Sequence, residues 1–287
     1  MSIETALELI ESVKDYRVMF VGDTIIDEYH YVSSLGKSPK ENLIPVRYLE
    51  EEKFQGGVEA AANHARSFCR YVSVRTDLWG VRKVRMVERD YMRKLFEVHY
   101  NGNVRPLEPQ DASSFDCVVV TDFGHGCINQ ESVGWLTRCP YLAVNAQTNS
   151  ANIGFNLITK YPRADYIVID EPEARLAAAD RDGPIESVIE KLAQGRCGKF
   201  VVTHGKYGAY GYDNGKFYHH NSYTDLVRDT MGAGDAFFAV TAPMSKTGSM
   251  EDLLLIGNAA GALKTQIIGH RKSVTKDDLI EFIKEHQ

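Results

Sequence analysis

Ile3, Ala6, Leu7, Ile10 and Val13 recur at helical spacing, so the chain is expected to open on an amphipathic helix. The apolar run Arg17–Gly22 follows as a short buried strand closing on a glycine. Residues 25–31, 42–51, 81–88 and 91–100 then read as strands or extended segments. A helix-like stretch, 58–70, and a strand-like one, 71–76, interrupt them. From residue 116 the pattern changes. Short apolar runs at 117–121, 142–145, 166–170 and 200–203 are each followed by Gly, Asp or Asn, and helical patterns lie between several of them, at 130–137, 171–179 and 184–194. A hairpin is expected next, with Asn214-Gly215 as the tight turn between 209–212 and 216–219. Helical patterns at 233–245, 250–268 and 276–285 finish the chain.

Strands alternating with helices predict an α/β fold, a doubly wound and mostly parallel sheet covered on both faces. The early run of strands predicts a small β-rich insertion in two pieces, about 25–55 and 81–105, attached to a single domain spanning 1–287. The length of 287 residues suits such a domain, and 44% hydrophobic with 25% charged residues excludes disorder and fibrous repeats. Thirty-three basic against 39 acidic residues leave a net charge of −6 with no basic block, which argues against nucleic acid and membrane surfaces as partners. The five cysteines are odd in number and lack CxxC spacing, so neither a disulfide framework nor a zinc site is expected. Glu4, Glu8, Glu11 and Asp15 give the N-terminus the wrong charge for a secretory signal, and no apolar run nears the roughly 20 residues of a membrane span. A cytoplasmic protein is the expectation.

Candidate chemistry concentrates in Asp229-Thr230-Met231-Gly232-Ala233-Gly234-Asp235, ahead of the apolar helix that begins Ala236-Phe237-Phe238. Gly232, Ala233 and Gly234 would present bare backbone N–H groups at a helix N-terminus, a natural anion site. Asp235, in the first turn, would be placed to accept a proton from a substrate hydroxyl. The same residues also suit a plain turn followed by a first-turn Asp, and composition does not separate the two readings. No Walker A sequence occurs, so a phosphate site here would lack a P-loop lysine.

The run DTMGAGDAFF resembles the C-terminal signature of the ribokinase-like (PfkB) carbohydrate kinases, and other features occur in that family's order. Gly22-Asp23-Thr24-Ile25-Ile26-Asp27 resembles its first strand, Gly56-Gly57 its Gly-Gly motif, Asp170-Glu171-Pro172-Glu173 its Asn-x-x-Glu, and Thr203-His204-Gly205-Lys206-Tyr207-Gly208 its nucleotide loop. Within the family, GDTIIDEYHY, VRKVRMVERD and CVVVTDFGHG are similar to the D-glycero-D-manno-heptose-7-phosphate kinases. The chain departs from the family pattern at Ala60 and Ala61, where a sugar-binding Asn is usual, at Asp170 for Asn, at Asn145-Ala146-Gln147, and at His125, where the heptose kinases have Lys.

The resemblance implies ATP-dependent phosphorylation of a sugar or sugar-phosphate hydroxyl, heptose 7-phosphate at its anomeric position being the specific candidate. Asp235 would be the base, and Gly232, Ala233 and Gly234 the anion hole. Asp27, Gly56 and Gly57 would grip the sugar, and Lys83, Arg85 and Arg89 would meet its phosphate. Thr203, Gly205, Gly208 and Asn258 would border the nucleotide, and Asp170 and Glu173 would organise Mg2+. A potassium or other monovalent cation near Asp229, Gly269 and Ser273, and a homodimer formed through the lid, are also implied. Several residues have plainer readings. Glu-Pro-Glu is an ordinary acidic helix start, Asn258 suits helix packing, and Lys83, Arg85 and Arg89 suit the wet face of a β-ribbon. Two other functions stay open: a catalytically weak sugar- or nucleotide-binding protein on a kinase scaffold, or a kinase for a nucleoside or small alcohol.

Overall fold

The computed structural model describes residues 3–77, 79–223 and 227–286. Helix α1 (Ile3–Ser12) leads into β1 (Arg17–Gly22), β2 (Thr24–Ser34), β3 (Val46–Gly57), α2 (Val58–Ala65) and β4 (Tyr71–Arg75). Then come β5 (Val81–Glu88), β6 (Arg93–Tyr100), β7 (Cys117–Asp122), α3 (Gln130–Leu136), β8 (Leu142–Ala146), β9 (Tyr166–Asp170), α4 (Glu171–Ala178) and α5 (Ile185–Ala193). The chain closes with β10 (Lys199–Thr203), β11 (Ala209–Asp213), β12 (Lys216–His220), α6 (Ala233–Met244), α7 (Met250–Thr265) and α8 (Lys276–Glu285).

The main sheet has eight strands in the order β12-β11-β10-β9-β8-β7-β1-β4, parallel except for the hairpin β11–β12. Its inner strands are buried on both faces, so β7 and β8 read as unbroken buried runs without alternation. Successive residues serve opposite layers. Val18 and Phe20 of β1 pack with α1, α2, α6, α7 and α8, whereas Met19 and Val21 pack with α3, α4 and α5. This is the expected doubly wound α/β architecture.

The second sheet is four-stranded and mixed, in the order β3-β2-β5-β6. Its strands fall within the two predicted pieces but for a residue or two at their ends, and its register decides which side chains meet. Asp27 pairs with Phe54 and Lys83, and Lys83 with His99; two residues on, Tyr29 pairs with Glu52 and Arg85, and Arg85 with Glu97. One face therefore carries a charged and aromatic row, and the wet-face reading of Lys83 and Arg85 is corrected. Lys83 is only 7% exposed, and the Arg85 side chain only 13%.

Two elements differ from expectation by more than three residues at an end. The strand expected at 42–51 is β3, Val46–Gly57: its exposed Glu50-Glu51-Glu52-Lys53 belongs to a sheet edge, which needs no apolar pattern. The helix expected to reach 70 ends at Ala65, with Arg66 as C-cap. Among the described residues, no helix is long and apolar enough to cross a membrane.

Candidate active site

Helix α6 starts on Gly232, whose backbone is left-handed at φ +76. A side chain there would be strained and would crowd His270 Cε1 at 3.2 Å and Lys264 Cε at 3.3 Å. The N–H groups of Gly234 and Asp235 have no acceptor within the helix, and that of Ala233 makes only a long bond to Thr230 O at 3.4 Å, so the helix offers a positive end at the mouth of a cavity. Asp235 stands there, and its Oδ1 accepts a hydrogen bond from Gln147 Nε2 at 2.5 Å. Gln147 also donates to Asn145 Oδ1 at 2.7 Å, and Asn145 Nδ2 donates to Val168 O at 2.8 Å. The carboxylate is thus tied through two amides to the main sheet. Burial pushes the Asp235 carboxyl above its ordinary range, against the opposing pull of His270, Gln147 and Lys264.

The cavity measures about 790 Å3. It brings Gly232, Ala233, Gly234 and Asp235 together with Asp170, Glu173, Thr203, Gly205, Gly208 and Asn258. These are all the expected catalytic, nucleotide and metal residues. Val168, Val227 and Phe237 supply apolar wall. Asn258 leans on the hairpin, its Nδ2 donating to His220 O at 3.2 Å.

Asp170 and Glu173 form a capping box for α4. Glu173 N donates to Asp170 Oδ1 at 2.8 Å, and Asp170 N donates to Glu173 Oε2 at 3.0 Å. The plain helix-start reading is therefore realised, yet it leaves a charge problem. Burial first, then the neighbouring Asp170, push the Glu173 carboxyl up to about 8. Among the described residues, its other oxygen accepts the Thr148 N–H alone, at 2.8 Å. Carboxylates at 170, 173 and 235 all line this cavity, but they do not converge closely enough to grip an ion directly. Magnesium keeps several waters, so these groups would hold it largely through them.

Asp27, Gly56, Lys83 and Arg85 lie on the small sheet, outside that cavity's wall. Asp27 is buried and ion-paired to Arg85, and its Oδ2 lies 3.5 Å from His270 Nε2. Burial raises its carboxyl, but His270 and Arg85 outweigh that and hold it below the ordinary range. Gly56 is needed at its place because a Cβ would sit 2.3 Å from Asp27 Oδ2. Gly57 caps the N-terminus of α2. Lys83 has no hydrogen bond or ion pair among the described residues, although Asp27 and Asp235 both act on it electrostatically. His125 is close enough to feel Lys83 and His99, and its buried Nε2 has no partner.

Arg89 is not brought into this group. It follows the end of β5, is largely exposed, and pairs with Glu50 at 3.2 Å. His270 was missed by sequence reasoning, because it carries no motif and meets Asp27 only through the fold.

The expected monovalent-cation position is also filled by the chain itself. Asp229 accepts hydrogen bonds from Tyr29 OH and Gly269 N at 3.0 Å and pairs with Lys94 at 2.9 Å. Beside it, Lys264 Nζ donates to the carbonyls of Gly269 at 2.7 Å and Met231 at 2.8 Å. These residues do not fit a free cation, and Ser273 is not among them.

Residues 156–277 match the model of the pfkB family carbohydrate kinases. No curated protein matches the sequence significantly. Among solved structures, a ribokinase from Thermotoga maritima superposes with a TM-score of 0.72 at 17% identity, covering 94% of this chain and 99% of its own. An archaeal nucleoside kinase from Methanocaldococcus jannaschii gives 0.71 at 15%, covering 95% and 99%. Phosphofructokinase-2 from Escherichia coli, solved in complex with potassium, gives 0.70 at 13%, covering 94% and 99%. The fold is shared over nearly the whole chain, and the family match spans the segment that carries Gly232–Asp235. The chain has the ribokinase-like fold, and its residues 156–277 are similar to the pfkB family carbohydrate kinases.

Proposed function

We propose that the protein transfers the γ-phosphoryl group of ATP to a hydroxyl of a sugar or sugar phosphate, with Asp235 as the base. The observation that carries this reading is the position of Asp235: at the open end of α6, on the nucleotide-sized cavity, with Asp27 and Lys83 acting on it from the small sheet. Asp235 Oδ2, left free by Gln147, takes the acceptor proton as the hydroxyl oxygen bonds to the γ-phosphorus and ADP leaves. The N–H groups of Gly232 to Asp235 face the charge that grows on the transferring group. Magnesium, when bound, neutralises phosphate charge. Glu173 and Asp170 would orient it, while the small sheet acts as a lid that excludes water as a competing acceptor.

Asp27 is the proposed grip on acceptor hydroxyls. Arg85 and His270 hold it ionised, so it can only accept hydrogen bonds. Lys83 favours an acceptor that carries its own phosphate, because a buried ammonium without a counter-ion is stabilised by an anion arriving. This keeps heptose 7-phosphate as the specific candidate, with Arg89 removed from its proposed contacts. The edge strand β3 exposes Tyr48 and Leu49, with Ile44 just before it, and a second copy pairing there would cover them. The test is ATP consumption against a panel of sugars, sugar phosphates and nucleosides. Turnover with a phosphorylated sugar supports the proposal. Turnover with nucleosides alone, or binding of ATP and sugars with no turnover, overturns it.

A further inference from the structure

Lys264 sits in the last turn of α7, a largely buried helix, and is itself fully buried. Its Nζ donates to three main-chain carbonyls: Gly269 at 2.7 Å, Met231 at 2.8 Å and Ile267 at 3.5 Å. Three acceptors use the three N–H bonds of an ammonium, and a neutral amine could not serve them all. The group lies against the loop that opens α6, since a Cβ on Gly232 would stand 3.6 Å from Nζ. Asp229 on the same loop joins the cluster through Gly269 N. A ring of carbonyl oxygens beside a carboxylate is what a monovalent metal ion would select, and here a tethered cation occupies it.

We propose that Lys264 is a built-in replacement for a monovalent cation, fixing the 229–232 and 267–269 segments and adding positive charge beneath the anion hole, so that this enzyme does not require potassium. The ammonium draws the Met231 and Gly269 carbonyls toward itself. It thereby turns their negative ends away from the site where phosphoryl charge develops, and leaves the Gly232–Gly234 N–H groups facing it. Lys264 is in this sense a positioning residue; it touches no reacting atom. The inference rests on the kinase reading for its kinetic arm only.

The test measures phosphorylation rate and melting temperature of the full chain in potassium chloride and in choline chloride at equal ionic strength. The wild type is expected to give the same rate and the same melting temperature in both. Lys264→Ala leaves the carbonyl ring without its cation. It is expected to lose at least tenfold in kcat in choline, to regain most of it with potassium, ammonium or methylammonium, and to melt higher in potassium than in choline. A wild-type rate or melting temperature that falls when potassium is withdrawn overturns the proposal. So does a folded Lys264→Ala protein that no monovalent cation restores, which would mark Lys264 as ordinary packing. Should that variant not fold, the wild-type comparison decides. A wild type without turnover in either salt counts against the kinase reading alone, and the melting comparison still decides the cation question.

Discussion

Gln147 reaches from the end of β8 to Asp235 at the start of α6 and donates to its Oδ1 at 2.5 Å. This bond occupies one carboxylate oxygen and leaves the other for the proposed proton transfer. It also lowers the affinity of the carboxylate for protons. Gln147→Ala is therefore expected to slow turnover about tenfold, the size of one hydrogen bond to a charged group. It should also move the acidic limb of the rate profile to higher pH, because a base that has lost a donor binds its proton more tightly. A rate–pH profile of the two proteins checks both; a slower variant with an unmoved limb would mean that Gln147 acts on something other than the base.

Arg85 bridges Asp27 and Glu97 across the small sheet. Arg85→Ala leaves the buried Asp27 with His270 alone, and breaking a buried pair of this kind costs about 3–5 kcal/mol. The expected result is a lower melting temperature, a raised KM for the acceptor and an unchanged KM for ATP. Equal changes in both KM values would place Arg85 outside acceptor binding.

Lys83 makes the opposite prediction. As a buried cation without a hydrogen-bonded or ion-paired partner among the described residues it costs stability, so Lys83→Met is expected to melt at the same temperature or higher. If a phosphorylated acceptor is its ligand, the variant loses affinity for that acceptor and keeps its affinity for the sugar without phosphate. Matching losses for both would remove the phosphate contact.

Glu173 gives a pH prediction. Its carboxyl is pushed up to about 8 in the folded protein from an ordinary 4.5, and Asp23, buried beside Asp122, is pushed up to about 6 from 3.8. Between the unfolded and folded values the native state holds protons that the unfolded chain has released, so stability falls as pH rises through roughly 4 to 8. Asp229, held down at about 2, works in the other direction, but its contribution is complete above pH 4. A divalent ion binds the ionised carboxylate, so magnesium should raise the melting temperature more at pH 8.5 than at pH 6. Glu173→Gln should flatten the pH dependence and remove most of the magnesium effect. Melting curves with and without magnesium decide this, and an equal magnesium effect in Glu173→Gln would exclude Glu173 as a holder of the ion.

The main sheet was legible in the sequence because its strands are short apolar runs bounded by Gly, Asp and Asn, and because helices lie between them. The edge strand β3 was misplaced toward Leu43 and Ile44, since Glu50-Glu51-Glu52-Lys53 offers no burial signal when only one side of a strand is paired. The α6 start was legible from Gly232-Ala233-Gly234-Asp235 alone. Gln147, His270 and Lys94 were not, because their roles depend on contacts across 88, 243 and 135 positions that no local pattern encodes. Lys264 did leave a local mark, the lone charged residue in the stretch 253–268, but only the fold shows that three carbonyls receive it.

The central claim is that Asp235 takes the acceptor proton at the N-terminus of α6. Asp235→Asn keeps the shape of the side chain and removes its basicity, so the decisive measurement is single-turnover phosphoryl transfer by this variant, with ATP binding followed by calorimetry on the same sample. The account predicts a loss of roughly 10²–10⁴-fold in turnover, the usual contribution of a general base, with ATP affinity largely retained. Turnover within a few-fold of the wild type, at unchanged ATP affinity, would contradict it.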